Sequence, residues 1–201
     1  SISQLLITLL SGLAGFAVLK EDLLKGGLFT QGWHQLLMLV VGIAALVLTV
    51  LYFGMAPISR WAARTWPNSR HLYLVAPLQT FDAPLLLLLL LLSLLRYAVF
   101  VVQYFLLFSL FEVHATPVVV WSVLSVVFLT LAIVPNIALV EVGLRGKVSL
   151  QLMALFTTNS LGVLLATVSI WFVNLIVPAL AGSVLILSVK VFKRKNETIE
   201  I

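Results

Sequence analysis

Between Ala83 and Phe111 the chain carries one charge, Arg96, and Leu85 to Leu92 are leucine without interruption. At about 1.5 Å per residue, a helix over that run is longer than a roughly 30 Å hydrocarbon core. Three further apolar runs cover Ile2–Leu19, Trp33–Met55 and Leu161–Val189. Of the 201 residues, 62% are hydrophobic and 9% charged, whereas a soluble domain has about 25% charged residues. So few charges cannot cover the surface of a water-soluble fold of this size. The expected fold class is all-α, a polytopic transmembrane helix bundle. It has about four full spans (2–19, 33–55, 83–111 and 161–189) and a re-entrant helical hairpin over about 118–156. Residues 1–195 form a single transmembrane domain, followed by a short polar tail at 196–201.

The net charge of +5 and the pI near 9.8 do not point to nucleic acid, because the basic residues gather at junctions between apolar runs. Arg60, Arg64, Arg70 and His71 lie in a stretch, 56–80, that meets no acid before Asp82. Short cationic loops stay on the cytoplasmic side, so this loop is expected to be cytoplasmic. The tail basic cluster Lys190, Lys193, Arg194 and Lys195 is expected there too, in a multi-pass protein of the cell membrane. The loop at 20–32, with balanced charge, is then outside. Tyr52 and Phe53 read as interfacial anchors, and His34, His71 and His114 as interfacial residues without metal-ligand spacing. The absence of cysteine excludes disulfides and thiolate sites. The first residue is Ser1, so the sequence reads as a fragment or a processed product. Its first apolar run lacks the basic flank and cleavage site of a signal peptide.

Parity fixes the part between the third and last runs. If 83–111 leaves the cytoplasm and 161–189 returns to it, the intervening segment starts and finishes outside. Only about a dozen residues separate Lys147 from Asn159, too few for a helical crossing. A hairpin fits better than the alternative, an amphipathic surface segment with altered topology; its arms are 118–134 and 137–156, with Pro135-Asn136 as the tip. Irregular backbone at membrane depth is tolerated only inside protein or along a wet cavity, so the hairpin implies a cavity.

The candidate substrate-binding residues are Arg96, Gln103, Pro135, Asn136, Glu141, Arg145 and Asn174. A guanidinium in mid-membrane costs about 2.5–3.5 kcal/mol on insertion scales, and Arg96 needs something to offset that. It either faces a polar pathway or anionic headgroup, or pairs structurally with Glu141, or snorkels. Gln103 lies two turns further along the same face. Glu141 and Arg145 are spaced to pair at i, i+4, either as a self-satisfied pair or with Arg145 and Arg96 competing for Glu141. Gly143 and Gly146 would let backbones or a ligand approach. Pro135 frees carbonyls one turn before it, and Asn136 is placed either to satisfy them or to help coordinate a polar group. Asn174 is expected to bond to a neighbouring helix rather than a ligand, with Pro178 kinking the span. Ser11/Gly15 and Gly162/Ala166 are small-xxx-small pairs. Catalytic motifs, metal-ligand sets and cofactor fingerprints are missing, so neither an enzyme nor a bound cofactor is expected.

The segment Ile133-Val-Pro-Asn-Ile-Ala-Leu-Val-Glu-Val-Gly-Leu-Arg-Gly146, followed by Trp171-Phe-Val-Asn-Leu-Ile-Val-Pro178-Ala-Leu-Ala-Gly182, resembles the flippase-like family. This is the family of the transmembrane region of lysylphosphatidylglycerol synthases. The resemblance covers roughly 83–195. It departs from the family pattern where Asn136-Ile-Ala-Leu stands in place of a glycine-rich turn. It implies translocation of an anionic lipid or lipid-linked substrate, with membrane lipids as partners. It also implies an upstream half, or a partner membrane protein, that completes the cavity. Lipid aminoacylation is not expected of this chain. The alternative is a non-transporting scaffold or partner subunit of an envelope-lipid pathway, in which Arg96 and Glu141 serve only as structural glue.

Overall fold

The computed structural model describes the backbone of residues 1–65, 83–133 and 138–196, and the side chains of 1–54, 83–133 and 141–187. The helices are α1 (Ile2–Val18), α2 (Lys20–Lys25), α3 (Gln31–Thr65), α4 (Ala83–Leu110), α5 (Pro117–Ile133), α6 (Ala138–Met153), α7 (Ser160–Trp171) and α8 (Val177–Asn196). A single π-turn, Phe172–Ile176, joins α7 to α8. No strand occurs among the described residues. Three segments are long and apolar enough to cross a membrane: Gln31–Gly54, Ala83–Leu110 and Ser160–Leu187. Helices α1 and α5 are equally apolar but have 17 residues each.

The helix ends follow from local chemistry. Ser1 accepts the Gln4 N–H at the start of α1, and Thr116 accepts from Val119 ahead of Pro117, a proline at the first helical position. Helix α2 stops at Gly27, whose φ of +68° suits glycine. Helix α4 stops at Glu112, also left-handed at φ 55°. There the Val113 N–H reaches back to the Phe108 carbonyl at 2.8 Å, a Schellman closure. Within α2 the Lys25 ammonium donates to Glu21 at 3.0 Å. It holds that carboxyl below its usual range while its own pKa rises; both groups are exposed, so the pair adds little stability.

Helix α5 is hydrophobic all round, as a central helix must be. Val123, Leu124 and Val127 are fully buried, and α1, α4 and α6 pack around it. Its contacts with α1 run antiparallel and very close. A Cβ on Gly12 would meet the Leu129 side chain, and one on Gly15 would lie 2.7 Å from the Ser122 carbonyl oxygen. Helices α4 and α5 also run antiparallel. Tyr97 and Ser125 share a 2.6 Å hydroxyl bond, and Phe128 packs edge-on against Tyr97, Phe100 and Tyr104. The apolar faces of α3, α4 and α8 are turned outward, with Leu46, Leu106 and Leu185 all more than half exposed, as expected of surfaces solvated by lipid.

The turns after α1, α4 and α6 meet at one end of the bundle. Gly26 sits against Leu155, and Asn159 ties two helix ends together. Its Oδ1 accepts the Gly162 N–H at 2.9 Å, capping α7, while its Nδ2 donates to the Phe111 and Glu112 carbonyls at 2.9 and 3.3 Å, closing α4. Asn159→Ala is expected to cost about 2 kcal/mol, combining a lost cap with lost carbonyl partners. Asn159→Asp keeps a good cap but puts a carboxylate against two carbonyl oxygens. Unfolding in detergent should find the aspartate variant at least as unstable as the alanine one. An aspartate variant of wild-type stability would show that only the cap matters.

Several expectations require correction. Helix α3 continues through 56–65, assigned above to a loop, and the rest of that loop falls in 66–82, outside the described residues. Helix α8 likewise runs on through the basic cluster to Asn196, while 197–201 lie outside the described residues. Tyr52 is not an interfacial anchor: it is buried and donates to the Leu86 carbonyl at 2.8 Å, locking α3 to α4. His34 is buried as well, its Nε2 3.2 Å from the Phe16 carbonyl oxygen. Both rings lie on the side of α3 that packs inward, which proximity to a chain end does not reveal.

Candidate functional site

Arg96 stands halfway along α4, about 21 Å from Leu110 at the helical rise. At the same level lie the end of α5 and the start of α6, and together they border an open-sided cavity of about 390 Å³. Arg96 and Tyr97 contribute from α4, Phe128, Leu131 and Ala132 from α5, Glu141 and Arg145 from α6, and Gln4 and Thr8 from α1. The structure thus brings three of the proposed site residues, Arg96, Glu141 and Arg145, to one chamber.

Their charges are not equivalent. Arg145 and Glu141 form an ion pair within α6, with the guanidinium 13% and the carboxylate 31% exposed. The competition expected between the two arginines is resolved in favour of Arg145, the local i, i+4 partner. Arg96 is exposed to the cavity and makes no ion pair among the described residues. Its guanidinium carbon lies 5.9 Å from the Phe100 ring centre, and that of Arg145 lies 5.9 Å from Phe128. Aromatic faces hold both cations in place. Tyr104 is fully buried, and neither its hydroxyl nor Arg145 Nε has a hydrogen-bond partner among the described residues.

Gln103 and Asn174 are placed elsewhere. Asn174 Nδ2 donates to Gln103 Oε1 at 3.0 Å and to the Ile170 carbonyl at 3.1 Å, joining the π-turn to α4. The expected interhelical packing role of Asn174 fits this bond, and neither amide lines the chamber. The π-turn immediately precedes Pro178, and within it the Val177 N–H reaches back five residues to Phe172. Widening of the turn relieves the clash between a proline ring and the carbonyl four residues earlier. Pro135 and Asn136 lie outside the described residues. Gly143 has nothing within 4 Å of a built Cβ, and Gly146 meets only Leu164 at 3.5 Å. No described backbone approaches these two glycines closely; the tight glycine contacts among the described residues are at Gly12, Gly15, Gly26 and Gly162.

Gln4, Thr8, Tyr97 and Phe128 were not singled out from sequence. They reach the chamber through the α1–α5 and α4–α5 crossings, which leave no local signature. Among the described residues no three His, Asp or Glu side chains converge as metal ligands. Comparison with family models, with curated proteins and with solved structures finds no match to this chain.

Proposed function

We propose that this chain is a multi-pass protein of the cell membrane that takes part in translocating an anionic lipid or lipid-linked substrate. The observation that carries the reading is Arg96, a guanidinium with no ion-pair partner among the described residues, midway along a long apolar helix and facing a chamber that also holds an ion pair. Such a cation attracts a phosphate or carboxylate headgroup through charge-assisted, bidentate hydrogen bonds. Glu141 neutralises Arg145 and leaves Arg96 as the free charge. The cavity also fits the topology of four spans and a re-entrant hairpin. Helices α5 and α6 are short, antiparallel and packed together, and the ends flanking 134–137 lie level with the middle of α4. In this topology α1 is the first crossing, and the clustered turns at 19–30, 111–116 and 154–159 are external. The basic residues at 60–71 and 190–195 are cytoplasmic. The alternative of a non-transporting scaffold is favoured by the Gln103–Asn174 bond, which is structural glue of the expected kind, but it gives Arg96 no task.

Reconstitution of the chain, which has no cysteine, tests both parts. Liposomes with a headgroup-labelled anionic phospholipid should expose more label to an external quencher than protein-free liposomes. Single cysteines at 115 and 158 should react with an impermeant reagent from outside, and one at 196 only from inside. Label exposure equal to that of empty liposomes would remove the transport reading, and labelling of 115 and 158 from opposite sides would remove the hairpin.

A further inference from the structure

A second cavity, of about 440 Å³, adjoins the charged chamber, and Arg96, Gln4 and Ser1 line both. Its remaining wall is largely apolar, built from Ile2, Leu86, Leu89 and Leu92. The hydroxyls in that wall are already engaged. Tyr52 donates to the Leu86 carbonyl and Ser93 to the Leu89 carbonyl, both at 2.8 Å, and Ser3 shares a hydrogen bond with Ser1. The Tyr52 and Ser93 hydroxyls have thus spent their donors on backbone, and away from the edge formed by Arg96, Gln4 and Ser1 a ligand entering this slot meets mainly hydrocarbon. The slot is within the size range of small-molecule pockets, about 300–1,000 Å³.

We infer that the two cavities form one bipartite site for a phospholipid, with the anionic headgroup in the chamber beside Arg96 and an acyl chain in the slot between α1 and α4. This rests on the reading of the chamber as a headgroup site and adds where the chain goes. The protein, rather than the bulk bilayer, holds at least one acyl chain next to the cation. The two cavities complement such a ligand: a positive charge with no ion-pair partner among the described residues lies where a compartment holding an ion pair meets a largely apolar one, and an anionic amphiphile has its own polar–apolar junction at the corresponding point. A free phosphate would use the chamber and leave the slot without purpose.

The test is photocrosslinking in phosphatidylcholine liposomes. One probe is phosphatidylglycerol with a diazirine in the acyl chain, and the other is phosphatidylcholine with the same chain. Adducts of the anionic probe should concentrate on Ile2, Leu86, Leu89 and Leu92, about tenfold over the zwitterionic probe, the scale of one charge-assisted hydrogen bond. Arg96→Ala should abolish that preference. Leu89→Trp should fill the slot and remove its adducts. Leu92→Trp gives an independent plug, and Leu88→Trp on the outward face should change nothing. Adducts spread over Leu87, Leu88 and Leu91 with both probes would overturn the slot. If transport still depends on Arg96 in that case, the headgroup reading stands without it. Charge-selective slot adducts in a protein that transports nothing would sustain the bipartite site and overturn translocation.

Discussion

Arg96→Ala is expected to reduce translocation of an anionic phospholipid in proteoliposomes by about 10- to 100-fold, the range of a charge-assisted bond of roughly 1.5–3 kcal/mol. Folding should be unaffected, because Arg96 makes no ion pair among the described residues and its guanidinium lies over the Phe100 ring. Removing a guanidinium from an apolar helix should even ease insertion. Arg96→Lys should recover part of the activity, since it keeps the charge and loses the planar fork. Exchanging Glu141 and Arg145 in a double variant separates transporter from scaffold. The ion pair, and with it stability, should return in either case, whereas activity should return only if the pair is glue. Initial rates of headgroup quenching, normalised to reconstituted protein, make the measurement. An Arg96→Ala protein as active as wild type would leave the chamber without a transport role.

Gly15→Ala should destabilise the bundle by about 1–3 kcal/mol, the usual cost of overpacking, and Gly15→Leu by more. The added Cβ would lie 2.7 Å from the Ser122 carbonyl oxygen and 2.8 Å from Ser125 Cβ. Backbone cannot yield as a side-chain tip can, so α1 must move off α5. That displacement also shifts Gln4 and Thr8, which line the chamber from α1, so headgroup binding should weaken along with stability. Gly42 supplies the control. It is helical, with nothing within 4 Å of a built Cβ, and Gly42→Ala should be neutral or better by up to about 1 kcal/mol through helix propensity. Thermal unfolding in one detergent compares the two directly. Equal melting temperatures for the two alanine variants would show that the α1–α5 crossing is not tightly packed.

Much of the chamber was legible because its logic is local. An arginine alone in an apolar run and an acid four residues before a basic partner are visible in one dimension, and both lead to residues that line the cavity. Helix α5 shows the opposite limit. It is apolar on every side, so no periodicity says which face meets α1 and which meets α4. The contacts of Gly12 with Leu129 and Tyr97 with Ser125 join residues far apart in sequence. Asn159 reads as the end of a polar turn, yet two of its three side-chain hydrogen bonds are spent on carbonyls at 111 and 112. His34 and Tyr52 were misplaced for a related reason: nearness to an apolar run's end suggests a membrane surface, and only tertiary packing turned those rings inward. Gln103 and Asn174, grouped with the charged residues from sequence, instead satisfy one another. A polar side chain in an apolar bundle finds the nearest polar neighbour whether or not a ligand is involved.

The amide of Asn159 makes one rim of the bundle a fulcrum. Helices α4 and α7 are riveted there at backbone level, so rotation between them produces little motion at that rim and progressively more toward the opposite one. A small angular change at the rivet would thus displace Trp171, the far end of α7, more than Ser160, its start, and the Gln103–Asn174 bond just beyond would hold that end back against α4.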